Sequence, residues 1–145
     1  KELYKIGWMH NRVRMIVGSF LTKNLLLHWK EGERWFFDTL VDADIGSNTA
    51  GWQWISGSGA DASPYFRIFN PILQGKKFDP KGQYVKKFIP SLDKIPEKFI
   101  HSPWEMTYEE QKKYNFILGQ DYPKPIVDLI DTRKRALAAF KKISE

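Results

Sequence analysis

Between Met9 and Leu27 apolar residues recur at helical spacing: at 100° per residue, Val13, Ile16, Val17 and Phe20 fall within an arc of about 100°. The opposite arc, about as wide, gathers Asn11, Arg14, Met15 and Gly18. The pattern predicts one helix with a core face and a second face made of an amide, a guanidinium, a thioether and bare backbone. Met15 and Gly18 are poor choices for an ordinary solvated face. A second helix is expected over 33–41, ending near Asp42, with Trp35, Phe36 and Leu40 in the core and Trp29 in the link before it. Over 44–56 the alternation is too weak to bury one face of a sheet, so helix is expected again. There Trp52 and Trp54 lie about 200° apart and meet different neighbours, while Asn48 stands one turn before Trp52 on the same face.

Residues 74–77 read as a basic loop. Asp79 and Pro80 read as the N-cap and first-turn residue of a helix running through Tyr84, Val85 and Phe88 to a stop at Pro90. Prolines at 90, 96 and 103 predict an extended, irregular connection, and Thr107 with Glu110 a capping box. A final helix is expected over 128–143, packed through Ile130, Leu137 and Phe140. The expected fold is all-α with long irregular loops, in a single domain over 1–145.

Composition narrows the function. Hydrophobic residues at 42% and aromatics at 15% describe a packed core and not a disordered chain. The net charge of +6 permits a polyanionic partner without requiring one. The absence of cysteine excludes disulfides, thiol catalysis and zinc sites of the cysteine type. His10, His28 and His101 are scattered, so no metal is expected. No apolar run approaches the ~20 residues of a membrane span, and a cytoplasmic protein is expected. Gly57-Ser58-Gly59 lacks the third glycine of a dinucleotide fingerprint, and no nucleophile and base stand together. The chain opens on Lys1 in what reads as the interior of an amphipathic segment, so a longer parent is expected.

The stretch from Asp42 to Arg67 is the most unusual. It sets Asp42, Asp44 and Asn48 beside Trp52 and Trp54 among small residues. Small residues admit close approach to the backbone, the indoles offer flat surfaces, and the polar groups fix orientation. That combination suits a planar aromatic ligand. As acid–base chemistry the aspartates are less persuasive, because carboxylates at a helix start usually cap it.

The segments GWMHNRVRM (7–15), WKEGERWF (29–36), DADIGSNTAGWQW (42–54), GADASPYFRIFNP (59–71) and DYPKPIV (121–127), in this order and spacing, closely resemble the C-terminal part of class I cyclobutane pyrimidine dimer DNA photolyases, within the photolyase/cryptochrome family. The resemblance covers nearly the whole chain. It implies the C-terminal half of an all-helical domain that holds FAD in a central cavity, with DNA docking on a basic surface. The N-terminal α/β antenna domain, where a second chromophore would bind, and the first part of the FAD domain would precede Lys1.

By the same resemblance Asn11, Arg14, Asp42, Ala43, Asp44 and Asn48 would bind the cofactor, with Arg14 pairing Asp42 and Asn48 facing flavin N5. Trp52 and Trp29 would carry electrons toward the surface. Asn11, Arg12, Met15, Trp54, Arg67 and Lys77 would meet the DNA and its flipped-out dimer. Photolyases are themselves standard examples of enzymes that take a base out of the stack, so that step comes from the resemblance and not from these residues. The implied activity is light-driven splitting of pyrimidine dimers by an electron from reduced FAD, with the 145-residue chain alone binding FAD weakly or not at all and repairing nothing. The parent is expected to be monomeric, and a half-domain with an open pocket wall is free to dimerise. Two other readings stand beside repair: a cryptochrome-type blue-light sensor with the same cofactor, and a flavin-free helical DNA-binding module. Asn48, Trp54 and Arg67 together speak against the sensor.

Overall fold

The computed structural model describes residues 1–60 and 67–144. Among them the order is α1 (Glu2–Ile6), α2 (Asn11–Ser19), a π-helical turn (Phe20–Asn24), α3 (Trp29–Thr39), α4 (Ile45–Ser56), α5 (Pro71–Phe78), α6 (Gln83–Phe88), three 3-10 turns, α7 (Tyr108–Lys113) and α8 (Leu129–Ser144). No strand occurs among the described residues; the one β-bridge joins Leu118 and Tyr122. The expected all-α class is the observed one. The chain divides into two compact units, one of residues 2–70 and 127–145, the other of 71–126 together with Lys1.

The first unit carries the predicted long helix in two parts. His10 caps α2 by accepting the Arg12 N–H, and beyond Ser19 the helix widens into a π turn. Val13, Ile16 and Val17 pack on the core formed by Leu3, Met9, Phe36, Leu40, Trp52, Ile55 and Phe69, as their periodicity predicts. Helix α3 starts four residues before the expected 33 because the His28 ring accepts the Lys30 N–H. Trp29 is therefore its first residue and not part of a link. Of the three side chains expected in the core there, Phe36 and Leu40 are buried, but Trp35 is 57% exposed. Helix α4 matches its prediction, capped by Asp44 at one end and closed at the other by Gly57, whose φ of 83° supplies the left-handed cap.

On α8 the packing differs from expectation. Asp128 caps it, but Ile130, Leu137 and Phe140 are 66%, 36% and 43% exposed, and the buried positions are Thr132 and Ala136. These two lie one turn apart on a face of small side chains, roughly 120–140° round from Ile130 and Leu137. Close approach is the reason: Asn24 of the π turn donates to Thr132 Oγ1 at 2.9 Å, and Arg135 donates to the Asn24 carbonyl at 2.6 Å.

The second unit has its own core of Leu92, Ile95, Phe99, Ile100, Met106 and Phe116. The basic loop expected at 74–77 is helical, within α5. Helix α6 begins at Gln83 after a left-handed Gly82, where a Cβ would run into Ile100. Asp79 still caps it from a distance, its carboxylate accepting from Tyr84 N at 3.2 Å and Val85 N at 3.1 Å. The proline-rich connection is not extended: Pro90–Lys94, Glu97–Phe99 and Pro103–Glu105 are 3-10 turns that deliver much of this core. The Thr107–Glu110 capping box is formed in full. Thr107→Ala is expected to cost about 1 kcal/mol of this unit's stability, measurable by urea titration with a probe on Tyr114. Asp121, which opens the DYPKPIV segment, accepts from Ile117 N at 2.7 Å and Lys94 Nζ at 2.9 Å, and so closes the preceding loop.

Candidate functional site

Helices α2 and α4, with the turn after α3, enclose a cavity of about 410 Å³. From α2 it takes Asn11, Arg14, Met15 and Gly18, the four residues that the helical wheel sets opposite the core face. Phe36, Leu40, Asp42 and Ala43 come from the end of α3 and the turn, and Asp44 from the N-cap of α4. Across α4 the lining runs Trp54, Ser47, Gly51, Ile55, Asn48, Trp52 over an arc of about 160°. The two indoles thus stand at its edges with Gly51 between them.

The polar groups are held individually. Arg14 Nε donates to the Met9 carbonyl at 2.6 Å, and one terminal nitrogen reaches both oxygens of Asp42 at 3.2 and 3.0 Å. With side chains 25% and 49% exposed, this pair is a positioning contact more than a source of stability. Asp44 Oδ1 accepts the Ser47 N–H at 2.7 Å, and that bond holds its carboxyl below the usual carboxylate range. A lowered value in the folded state means that the cap's contribution is complete above the unfolded aspartate value, near ~3.9, and is lost as pH falls through the lower folded one. In Asp44→Asn, far-ultraviolet dichroism followed against pH is expected to lose this acid step, while wild type keeps it.

Asn48 donates through Nδ2 to the Glu33 carbonyl of α3 at 2.8 Å. A carbonyl only accepts, so the amide nitrogen must face it, which leaves Oδ1 and the second N–H of the amide to meet a ligand. Glu33 tightens the arrangement by accepting the Thr49 hydroxyl at 2.7 Å. Trp52 is 4% exposed and meets Phe36 edge to face at 4.9 Å. Its six-membered ring lies directly on Gly32, where no Cβ fits.

The structure brings together Asn11, Arg14, Met15, Asp42, Ala43, Asp44, Asn48, Trp52 and Trp54. The other four expected residues lie elsewhere. Trp29 is half-buried, one turn before Gly32 on α3, beside a shallow groove with Leu26, Leu27 and Ser58. Arg12 is exposed on the first turn of α2. Arg67 is exposed with its guanidinium 5.5 Å above the Phe69 ring, and Lys77 is exposed on α5, in the second unit. Residues 61–66, within the GADASPYFRIFNP segment, lie outside the described residues. Sequence reasoning missed Gly32, Glu33 and Ser47 as supports of the site; the Trp-x-x-Gly-Glu spacing at 29–33 is the signal for two of them. Among the described residues no three His, Asp or Glu side chains converge as a metal site, and no helix is long and apolar enough to cross a membrane.

Fold and cavity define an all-helical ligand-binding domain whose lining mixes fixed charges, one oriented amide and two indoles. Residues 1–142 match the FAD binding domain of DNA photolyase, and the chain belongs to that family. The deoxyribodipyrimidine photo-lyase of Agrobacterium fabrum is 58% identical over all 145 residues. Cryptochrome-2 of Arabidopsis thaliana is 49% identical over 138 residues, 95% of this chain and 22% of that protein. The crystal structure of a bacterial class III photolyase from Agrobacterium tumefaciens superposes with a TM-score of 0.91 at 59% identity, over 99% of this chain and 30% of that one. The chain thus spans about 30% of the length of its photolyase relatives.

Proposed function

We propose that this chain is the cofactor-holding part of a light-driven enzyme that repairs cyclobutane pyrimidine dimers in DNA. The observation that carries this is the joint lining of one cavity by Arg14, Asp42, Asp44, Asn48, Trp52 and Trp54. Its volume falls within the roughly 300–1,000 Å³ of small-molecule sites, and its donor set suits a flavin: flat apolar walls, an amide acceptor at fixed orientation and an arginine–carboxylate pair. Arg14, Asp42, Ala43, Asp44 and Asn48 would hold FAD, with Asn11 beside them. When bound, reduced FAD would supply the light-driven electron that splits the cyclobutane ring.

The chain's own residues set the conditions. Asn48 would keep a neutral group beside the ring where a further carboxylate, added to Asp42 and Asp44, would oppose the electron-rich reduced form. Trp52, buried between Gly32 and Phe36, would pass electrons outward, with Trp29 one helical turn from Gly32. Met15 and Trp54 would pack the flipped dimer. Arg12, Arg67 and Lys77 would each neutralise a phosphate, so affinity should fall as salt rises.

Gly51 provides a direct check on the cavity. A Cβ there meets nothing within 4 Å, so Gly51→Leu points into open space. The variant is expected to hold or slightly raise thermal stability, since glycine is the weaker helix former by about 1 kcal/mol, while FAD binding falls at least tenfold. With Asp42, Asp44 and Asn11 all exposed, the isolated chain is expected to bind FAD weakly in the first place. The experiment on function therefore exchanges this chain for the matching 30% of the Agrobacterium fabrum enzyme. Blue-light-dependent repair of thymine dimers by the chimera, lost in its Asn48, Trp54 or Arg67 variants, is expected. A chimera that folds and retains FAD yet leaves dimers intact would favour the sensor.

A further inference from the structure

One buried cation in the first unit takes no part in the cavity. Lys23, in the π turn, is 4% exposed, and its Nζ donates to the main-chain carbonyl of Arg67 at 2.7 Å. Ser19, one turn earlier and fully buried, accepts the Phe69 N–H at 3.0 Å. Phe69 is itself 7% exposed and fixed in the core, and the Arg67 guanidinium rests over its ring at 5.5 Å. The carbonyl of 67, the amide of 69 and the surface beneath the guanidinium are therefore all immobilised, while the Arg67 side chain stays exposed.

Burying an ammonium is costly, and burial lowers the Lys23 pKa to about 8. An apolar side chain of that length would fill the space without the cost; an ammonium can in addition donate to the Arg67 carbonyl. Holding an arginine's backbone and stacking surface in advance removes part of the ordering cost of binding.

We propose that Lys23 and Ser19 form a two-point clamp on residues 67–69 that presents Arg67 as a pre-organised phosphate-binding group. The phosphate part rests on the DNA-repair reading; the clamp does not. Both are positioning residues that act through Arg67.

The test compares the 145-residue chain with its Lys23→Met, Ser19→Ala, Arg67→Ala and Lys23→Met/Arg67→Ala variants. Binding of a fluorescein-labelled, ultraviolet-irradiated oligothymidylate is measured against salt, and exchange of the Phe69 amide is followed by NMR. Lys23→Met and Ser19→Ala are each expected to weaken binding three- to tenfold and to speed Phe69 exchange. The salt slope should fall toward that of Arg67→Ala, and Lys23→Met should add nothing in the Arg67→Ala background. Should Lys23→Met not fold, Ser19→Ala carries the same test. Unchanged Phe69 exchange in the variants overturns the clamp, as does an equal loss of binding with Arg67 already absent. A wild-type chain that ignores the oligothymidylate, with Phe69 exchange released in the variants, overturns the phosphate role and supports the clamp.

Discussion

Gly32→Ala is expected to destabilise the first unit by about 3 kcal/mol, the upper end of what overpacking costs, and to lower its melting temperature by on the order of 10 °C. Helix α3 approaches α4 so closely at this point that the added methyl group would occupy the space of the Trp52 ring. Trp52 is held on one side and free on the other: it is 4% exposed with Phe36 against it, and the cavity begins at its edge. Relief requires either separation of α3 from α4 or rotation of the indole, and both disturb the site. Separation stretches the Asn48–Glu33 and Thr49–Glu33 bonds; rotation pushes the ring into the ligand space. Tryptophan fluorescence should report the change as a shifted emission maximum. Trp52→Phe, by shortening the ring, is expected to recover about 1–2 kcal/mol of the Gly32→Ala loss in the double variant. A Gly32→Ala protein that melts with wild type and keeps its emission spectrum would show that this contact does not set the helix spacing.

That contact also marks the limit of what the sequence makes legible. Periodicity is enough to find the site-facing arc of α2, because Asn11, Arg14, Met15 and Gly18 are defined by opposition to a clear apolar stripe. It is enough for α4, since the capping aspartate and the Asn48–Trp52 spacing are local. The failures come where a distant partner decides. Trp35 reads as core from its chemistry, yet α3 turns Phe36 and Gly32 inward because Trp52 needs both. On α8, close packing against the π turn selects Thr132 and Ala136 over the larger Ile130 and Leu137. The prolines at 90, 96 and 103 suggest extension, but each starts or precedes a 3-10 turn once Leu92, Ile95 and Phe99 have a core to enter. Glu33 is the clearest omission. Its contribution to the site is made partly through a main-chain carbonyl, which every residue owns and no sequence pattern distinguishes.

The same carbonyl makes Asn48→Asp the sharpest test of the oriented amide. In wild type the Asn48 nitrogen donates to the Glu33 carbonyl; an ionised aspartate there would set one acceptor against another, with the Glu33 carboxylate and its Thr49 partner close by. Leaving these groups unsatisfied is expected to cost about 1–3 kcal/mol at neutral pH. Protonation restores a donor, so the folded state raises the substituted carboxyl above its usual range. With a raised folded value, the variant's deficit against wild type should be small below about pH 4 and should grow as pH rises through that folded value. Melting curves of both proteins at several pH values measure the difference, with Asp44, common to both, cancelling from it. A deficit independent of pH would mean that the carboxylate swings away from Glu33, and the orienting bond would lose its significance. In the Agrobacterium chimera the substitution also sets a negative charge beside the proposed flavin site. The bound cofactor's potential is then expected to become more negative and photoreduction in the purified protein slower, whereas Asn48→Gln, which keeps a neutral amide, should preserve the charge but misplace the acceptor. If the aspartate variant instead reduces as readily as wild type, neutrality at position 48 is not what adapts this cavity to reduced FAD.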